Sequence, residues 1–156
     1  MAKTKNIYIV PVRKKDRKLI ISDPRAHGKG FLKYAIDFPL PEGTEVLAAS
    51  SGKVVEIKVN SKIGGNTKKY LKRTNFITIE HKNGESSQYV HLKYKGSRVK
   101  VGQSVKTGQV IGYSGNTGWT TEPHLHFHVL RFINSKIGWE TMKIKFKEKI
   151  RILRKF

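Results

Sequence analysis

Pro123-His124-Leu125-His126-Phe127-His128-Val129 carries a histidine at every second position, with Leu125, Phe127 and Val129 between or beside them. In a β-strand, residues two apart point to the same face. The segment therefore reads as a strand with three imidazoles on one face and an apolar, core-packing set on the other. Two neutral imidazoles side by side are a natural start for a metal site. At most one or two of the three can reach a single ion.

Strand signals continue on both sides of this segment. Short apolar or alternating runs, broken by Gly, Asn, Asp or Pro, predict strands near 6–12, 18–22, 33–38, 45–50, 52–60, 75–82, 86–92, 109–113, 124–133 and 142–147. No stretch shows a sustained helical period. Lys82-Asn83-Gly84-Glu85 is a hairpin signal, because Asn-Gly tolerates the positive φ of a tight turn. Between Val99 and Gly112, Val101-Gly102-Gln103 and Thr107-Gly108-Gln109 read as two sharp turns of similar pattern. Residues 61–74 are polar and basic and read as a mobile loop. The tail from Met142 alternates Lys or Arg with Ile, Leu or Phe, which fits an edge strand. The expected fold is all-β: an antiparallel sheet folded as an open sandwich, with glycine-rich loops around a groove.

The length of 156 residues fits one domain. With no cysteine, no disulfide can form and any zinc site must use His, Asp or Glu. The net charge is +21, from 32 Lys and Arg against 11 Asp and Glu. Such a chain is drawn to polyanions: nucleic acid, an anionic wall or a membrane surface. Charge alone does not choose between them, and solvated lysine-rich faces give the same count. No apolar run reaches the ~18 residues of a transmembrane helix. The apolar stretch Asn6–Val10 is too short for a signal-peptide core, so an export signal has been removed or that route is not used.

Three further residues carry chemistry. His91 closes the strand-like run Gln88-Tyr89-Val90-His91-Leu92, where a lone histidine is more often structural than catalytic. His27 lies in a loop with Gly28 and Gly30. Asp37 interrupts an apolar strand in Tyr34-Ala35-Ile36-Asp37-Phe38, and a buried carboxylate is costly unless paired or metal-bound. No His-Glu-x-x-His helix is present, so a base of that kind is excluded.

Tyr34–Phe38, Pro41–Val55, Tyr89-Val90-His91-Leu92, Gly112–Gly118 and Pro123–Phe127 occur in an order and at separations that resemble the lysostaphin-type zinc endopeptidases. The similarity runs from about His27 to Val129. It implies one Zn2+ per chain, held by Asp37 and His126 with a histidine upstream of the aspartate. It also implies that His91 and His124 form the catalytic pair, with the choice of base between them open. The commonest form of the family has its upstream histidine four residues before the aspartate, where this chain has Lys33, so the resemblance assigns that ligand to His27. His128 falls at the rim of the site or just behind it. His81, beside the Asn83-Gly84 turn, reads as structural.

The resemblance further implies hydrolysis of peptide cross-links or stem peptides of bacterial peptidoglycan. The implied setting is the cell envelope, periplasmic or secreted. Anionic cell-wall polymers are candidate partners, no specific nucleic acid is expected, and the chain is expected to be a monomer. Residues 27–134 form the expected peptidase core, between N-terminal strands at 1–26 and a basic strand extension at 135–156. Two other readings stand beside this one: an inactive wall-binding or hydrolase-activating domain of the same fold, and a basic nucleic-acid-binding β domain. The second rests on stretches such as Lys68-Lys69-Tyr70-Leu71-Lys72-Arg73.

Overall fold

The structure, a computed structural model, describes residues 2–23, 27 and 32–155. Its strands are β1 (Ile21–Ser22), β2 (Ile36–Pro39), β3 (Glu45–Leu47), β4 (Gly52–Lys58), β5 (Gly64–Gly65), β6 (Phe76–Glu80) and β7 (Glu85–Val90). They continue with β8 (Leu92–Ser97), β9 (Ser104–Val105), β10 (Val110–Ser114), β11 (Gly118–Trp119), β12 (His124–Asn134), β13 (Gly138–Thr141) and β14 (Leu153–Arg154). The named helical segments among the described residues are short 3-10 turns, and His27 is helical.

The large sheet runs β14-β1-β2-β12-β7-β6-β4-β9, with β13 also paired to β12. A smaller sheet runs β3-β10-β8. Alternation decides which face of the large sheet is dry. Leu125, Phe127 and Val129 of β12 are fully buried, as are Ile77 and Ile79 of β6, Tyr89 of β7 and Val54 of β4. They share one core with Val46, Leu92 and Ile111 of the smaller sheet. The open sandwich expected from the sequence is therefore present; β1 pairs with β14 and β5 with β11 in parallel, the bridges Lys3–Lys143 and Tyr8–Phe146 are parallel too, and the other strand pairings described are antiparallel. The other face of the large sheet holds the histidines.

The two turns between Val99 and Gly112 are built alike. Gly102 and Gly108 adopt φ of +91° and +85°. Gln103 and Gln109 each accept the backbone N–H three residues upstream through the side-chain oxygen, both at 3.1 Å. Asn83 and Gly84 take φ of 64° and 68°, as the hairpin signal requires.

Several segments differ from the sequence-based expectation. Residues 6–12 are not a strand. Tyr8, Val10 and Val12 are buried in the core, but the backbone there pairs through one bridge, Tyr8 with Phe146, and its hydrogen bonds also reach Ala49. Residues 142–147 likewise make only bridges, at Lys143 and Phe146, while the neighbouring edge strands are β13 and β14. Residues 33–35 lie outside β2, with a turn at 32–34.

Residues 61–74 are not a featureless loop. β5 pairs with β11, Lys68–Arg73 form a 3-10 turn, and the buried Asn75 side chain bonds the backbone of Ser61 and Leu92. Gly64 fits because its neighbour is backbone: a Cβ there would lie 2.1 Å from the Asn116 carbonyl oxygen. The Gly28 and Gly30 part of the expected His27 loop lies outside the described residues.

Candidate metal centre

β12 is the spine of the site. Antiparallel pairing sets His126 opposite Asp37 of β2 on one side and Val90 of β7 on the other. His91 follows β7 directly. Its φ of 67° is unusual for a residue with a side chain, and such strain gathers at functional sites.

Asp37 is the meeting point. His27 Nε2 lies 2.6 Å from Asp37 Oδ2, His126 Nδ1 lies 3.2 Å from Oδ1, and His124 Nε2 lies 3.8 Å from Oδ1. Burial pushes the Asp37 carboxyl upward, but His126 and His27 outweigh it and hold it well below the usual carboxylate range. Among the described residues, His27, Asp37 and His126 bring their ligand atoms within 4.8 Å of one another. Among the described residues, Asp37 Oδ1 is buried and accepts no hydrogen bond, although His126 Nδ1 is near, and His27 Nδ1 is likewise buried with no partner. A buried carboxylate oxygen left bare beside an imidazole nitrogen fits a bound cation, and two imidazoles with one carboxylate suit zinc.

His91 and His124 stand next to this cluster, with ring centroids 4.5 Å apart. Each has its Nδ1 fixed by a backbone carbonyl: His91 donates to Thr117 O at 2.6 Å, and His124 to Glu122 O at 2.7 Å. Among the described residues neither Nε2 is in a hydrogen bond, His124 Nε2 lying 3.8 Å from Asp37 Oδ1. Burial, with His124 and His126 beside it, pushes His91 down to about 3, so it is neutral at neutral pH. Burial likewise lowers His126, against the pull of Asp37.

His128 points to the same face and lies behind His126, with its Nδ1 2.8 Å from His126 Nε2. His81 is elsewhere. It bonds Ser51 O and Ser87 Oγ and packs edge-on against Tyr8, which is the structural part expected of it.

The histidines form the floor of a groove of about 600 Å³. Leu71, Thr74 and Phe76 line one part of it, Trp119, Thr120 and Glu122 another, and Ile21 and Lys155 a third. Sequence reasoning missed Gln88, Thr117 and Trp119 as site residues. Only Gln88 had a signal, its period-two spacing from Val90 on a strand already recognised.

A β-sandwich with a His–Asp–His cluster and a flanking histidine pair is an arrangement suited to holding a metal ion. The family model for peptidase family M23 matches residues 32–137, so the chain belongs to that family. It is 44% identical over 107 residues to lysostaphin of Staphylococcus staphylolyticus, covering 68% of this chain and 20% of the relative. It is 38% identical over 94 residues to the peptidoglycan DD-endopeptidase ShyA of Vibrio cholerae, covering 60% and 19%. The chain thus spans about a fifth of the length of these curated relatives.

Among solved structures, the catalytic domain of lysostaphin from Staphylococcus simulans aligns with a TM-score of 0.53 at 38% identity, over 69% of this chain and 74% of that one. A zinc-containing peptidase from Vibrio cholerae aligns with a TM-score of 0.60 at 26% identity, over 95% and 41%. His27 precedes the segment matched by the family model.

Proposed function

We propose that this chain is a zinc-dependent endopeptidase that hydrolyses peptide cross-links or stem peptides of bacterial peptidoglycan. The observation that carries the reading is the buried Asp37 Oδ1, which accepts no hydrogen bond among the described residues, with His27 Nε2 and His126 Nδ1 converging on the same carboxylate at the floor of a groove. His27, Asp37 and His126 would hold one zinc ion. Two imidazoles and one carboxylate are a donor set that catalytic zinc takes. When bound, the ion supplies Lewis-acid polarisation of a peptide carbonyl and of water.

The chain's own residues supply the rest. His91 and His124 have Nδ1 committed to backbone carbonyls and Nε2 in no hydrogen bond among the described residues. One Nε2 accepts the proton of the attacking water and returns it to the leaving amine. Once it carries that proton, the same Nε2–H can donate a hydrogen bond to the developing oxyanion before the proton passes to the leaving amine. The groove walls hold an extended peptide across the floor. Residues 27–134 act as the catalytic core, and the flanks at 1–26 and 135–156 as additions to it. The names of the relatives support peptidoglycan as substrate and the cell envelope as the place of action. The net charge of +21 supports retention on an anionic wall.

The test is digestion of purified peptidoglycan with and without a chelator, the released fragments being identified by mass. Wild type should release new peptide ends, the chelator should stop this, and His126→Ala should remove both lysis and bound zinc. Lysis by His126→Ala equal to that of wild type would end the proposal. Zinc uptake without any lysis would favour the hydrolase-activating alternative.

A further inference from the structure

The groove face of the large sheet carries a row of polar side chains leading away from His126. His128, Gln88, Thr78 and Glu56 are direct cross-strand neighbours on β12, β7, β6 and β4. Their side chains connect in sequence. His126 Nε2 meets His128 Nδ1 at 2.8 Å, and His128 Nε2 meets Gln88 Oε1 at 2.7 Å. Gln88 Nε2 meets Thr78 Oγ1 at 3.0 Å, and Thr78 Oγ1 meets Glu56 Oε1 at 3.4 Å.

The far end of the row fixes its direction. A carboxylate only accepts, so the single hydroxyl proton of Thr78 goes to Glu56. The Thr78 lone pairs then take the Gln88 N–H, which leaves Gln88 Oε1 facing His128. His128 Nε2–H donates to that oxygen. His128 is 3% exposed, and a neutral imidazole protonated at Nε2 offers a lone pair at Nδ1. His126 therefore donates from its own Nε2. Its Nδ1 lone pair is left for the cluster, 3.2 Å from Asp37 Oδ1.

We propose that His128 and Gln88 are positioning residues that set the tautomer and aim of His126, presenting its Nδ1 lone pair to a divalent cation held with His27 and Asp37. This rests on the metal-dependent reading above and deepens it. A hydrogen-bond acceptor on the far nitrogen of a ligating imidazole fixes the ring and strengthens it as a donor. Loss of such a partner typically weakens metal binding by about 10–100-fold.

The test is Zn2+ affinity of the full chain, stripped of metal and titrated against a competing chelator dye. His128→Phe removes the acceptor opposite His126, whereas His128→Gln keeps one. Gln88→Leu removes the acceptor opposite His128, whereas Gln88→Glu keeps it. His128→Phe should weaken zinc binding by about 10–100-fold and Gln88→Leu by about tenfold, with both acceptor-keeping variants close to wild type. In 15N-labelled, zinc-loaded wild type, a scalar coupling should cross the His126–His128 hydrogen bond.

Wild-type affinity in His128→Phe, or equal weakening in His128→Gln and His128→Phe, overturns the positioning role while the peptidase reading stands. A wild-type chain that takes up no zinc overturns both. Should His128→Phe fail to fold, the pair at the half-buried Gln88 carries the same comparison.

Discussion

Replacing His91 by Asn should remove a defined share of the protein's acid sensitivity. His91 is 8% exposed, and its imidazole is pushed from 6.5 down to about 3 by burial and by His124 and His126. The folded value lies below the unfolded one, so the unfolded chain takes up the proton first. The stability this group contributes is full above the unfolded value of 6.5 and is lost as pH falls toward 3. The slope is about 1.4 kcal/mol per pH unit once the unfolded histidine is charged.

Between about pH 7.5 and about pH 5, the loss assigned to His91 is thus about 2 kcal/mol. Asparagine does not titrate and tolerates the φ of 67° at this position. Urea unfolding of zinc-free protein at the two pH values, followed by circular dichroism, measures the effect. His81, His126 and His128 are lowered by burial too, and add the same loss to both proteins. Wild type should lose about 2 kcal/mol more than His91→Asn over this range. Equal losses in the two proteins would refute a buried, neutral His91.

Asp37→Asn keeps the shape of the cluster but removes its anion, so the purified protein should carry no zinc; a full equivalent by elemental analysis would contradict the ligand role. Glu85 is buried and accepts from the backbone N–H of Lys5 and Asn6 and from the Tyr8 hydroxyl. Glu85→Gln turns an amide N–H toward donors and should destabilise by about 1–3 kcal/mol, and an unchanged melting temperature would argue against it. Gly118 has φ of +85°, and a Cβ there would lie 2.0 Å from Thr74 Oγ1. Gly118→Ala should cost about 1–3 kcal/mol and speed hydrogen exchange at 63–65 and 118–120; unchanged protection would count against a tight β5–β11 pairing.

The core of the fold is legible because it follows simple periods. Alternation in β12, β7 and β6 picks out Leu125, Phe127, Val129, Tyr89, Ile77 and Ile79, and all six become dry. Pairings without a period are not legible. β5 and β11 are two residues each, and nothing in Gly64-Gly65 announces Gly118-Trp119 as a partner. Residues 6–12 look like a strand because they are apolar, and they are indeed buried, yet their backbone groups are satisfied by scattered partners instead of one ladder.

At the site, Asp37 stands out as a carboxylate in an apolar run, and the histidine triplet by its spacing. His27 does not follow from local spacing, since Lys33 holds the usual position; tertiary structure brings its Nε2 to Asp37. His128 looks surplus in the sequence because its acceptor, Gln88, becomes its neighbour only through strand register.

β12 also predicts how the gene would tolerate changes of length. Its two faces do unlike jobs along 124–129, so a slip of one residue would swap them. Leu125 and Phe127 would then look into the water-filled cleft, and imidazoles would be driven against oil-like neighbours. Beyond Leu130 the same strand runs on in a ladder with β13 alone for most of its length, and residues 131–137 are exposed. In a screen of single-codon insertions and deletions, catalytic output and soluble yield should therefore collapse together in the first stretch and come apart in the second.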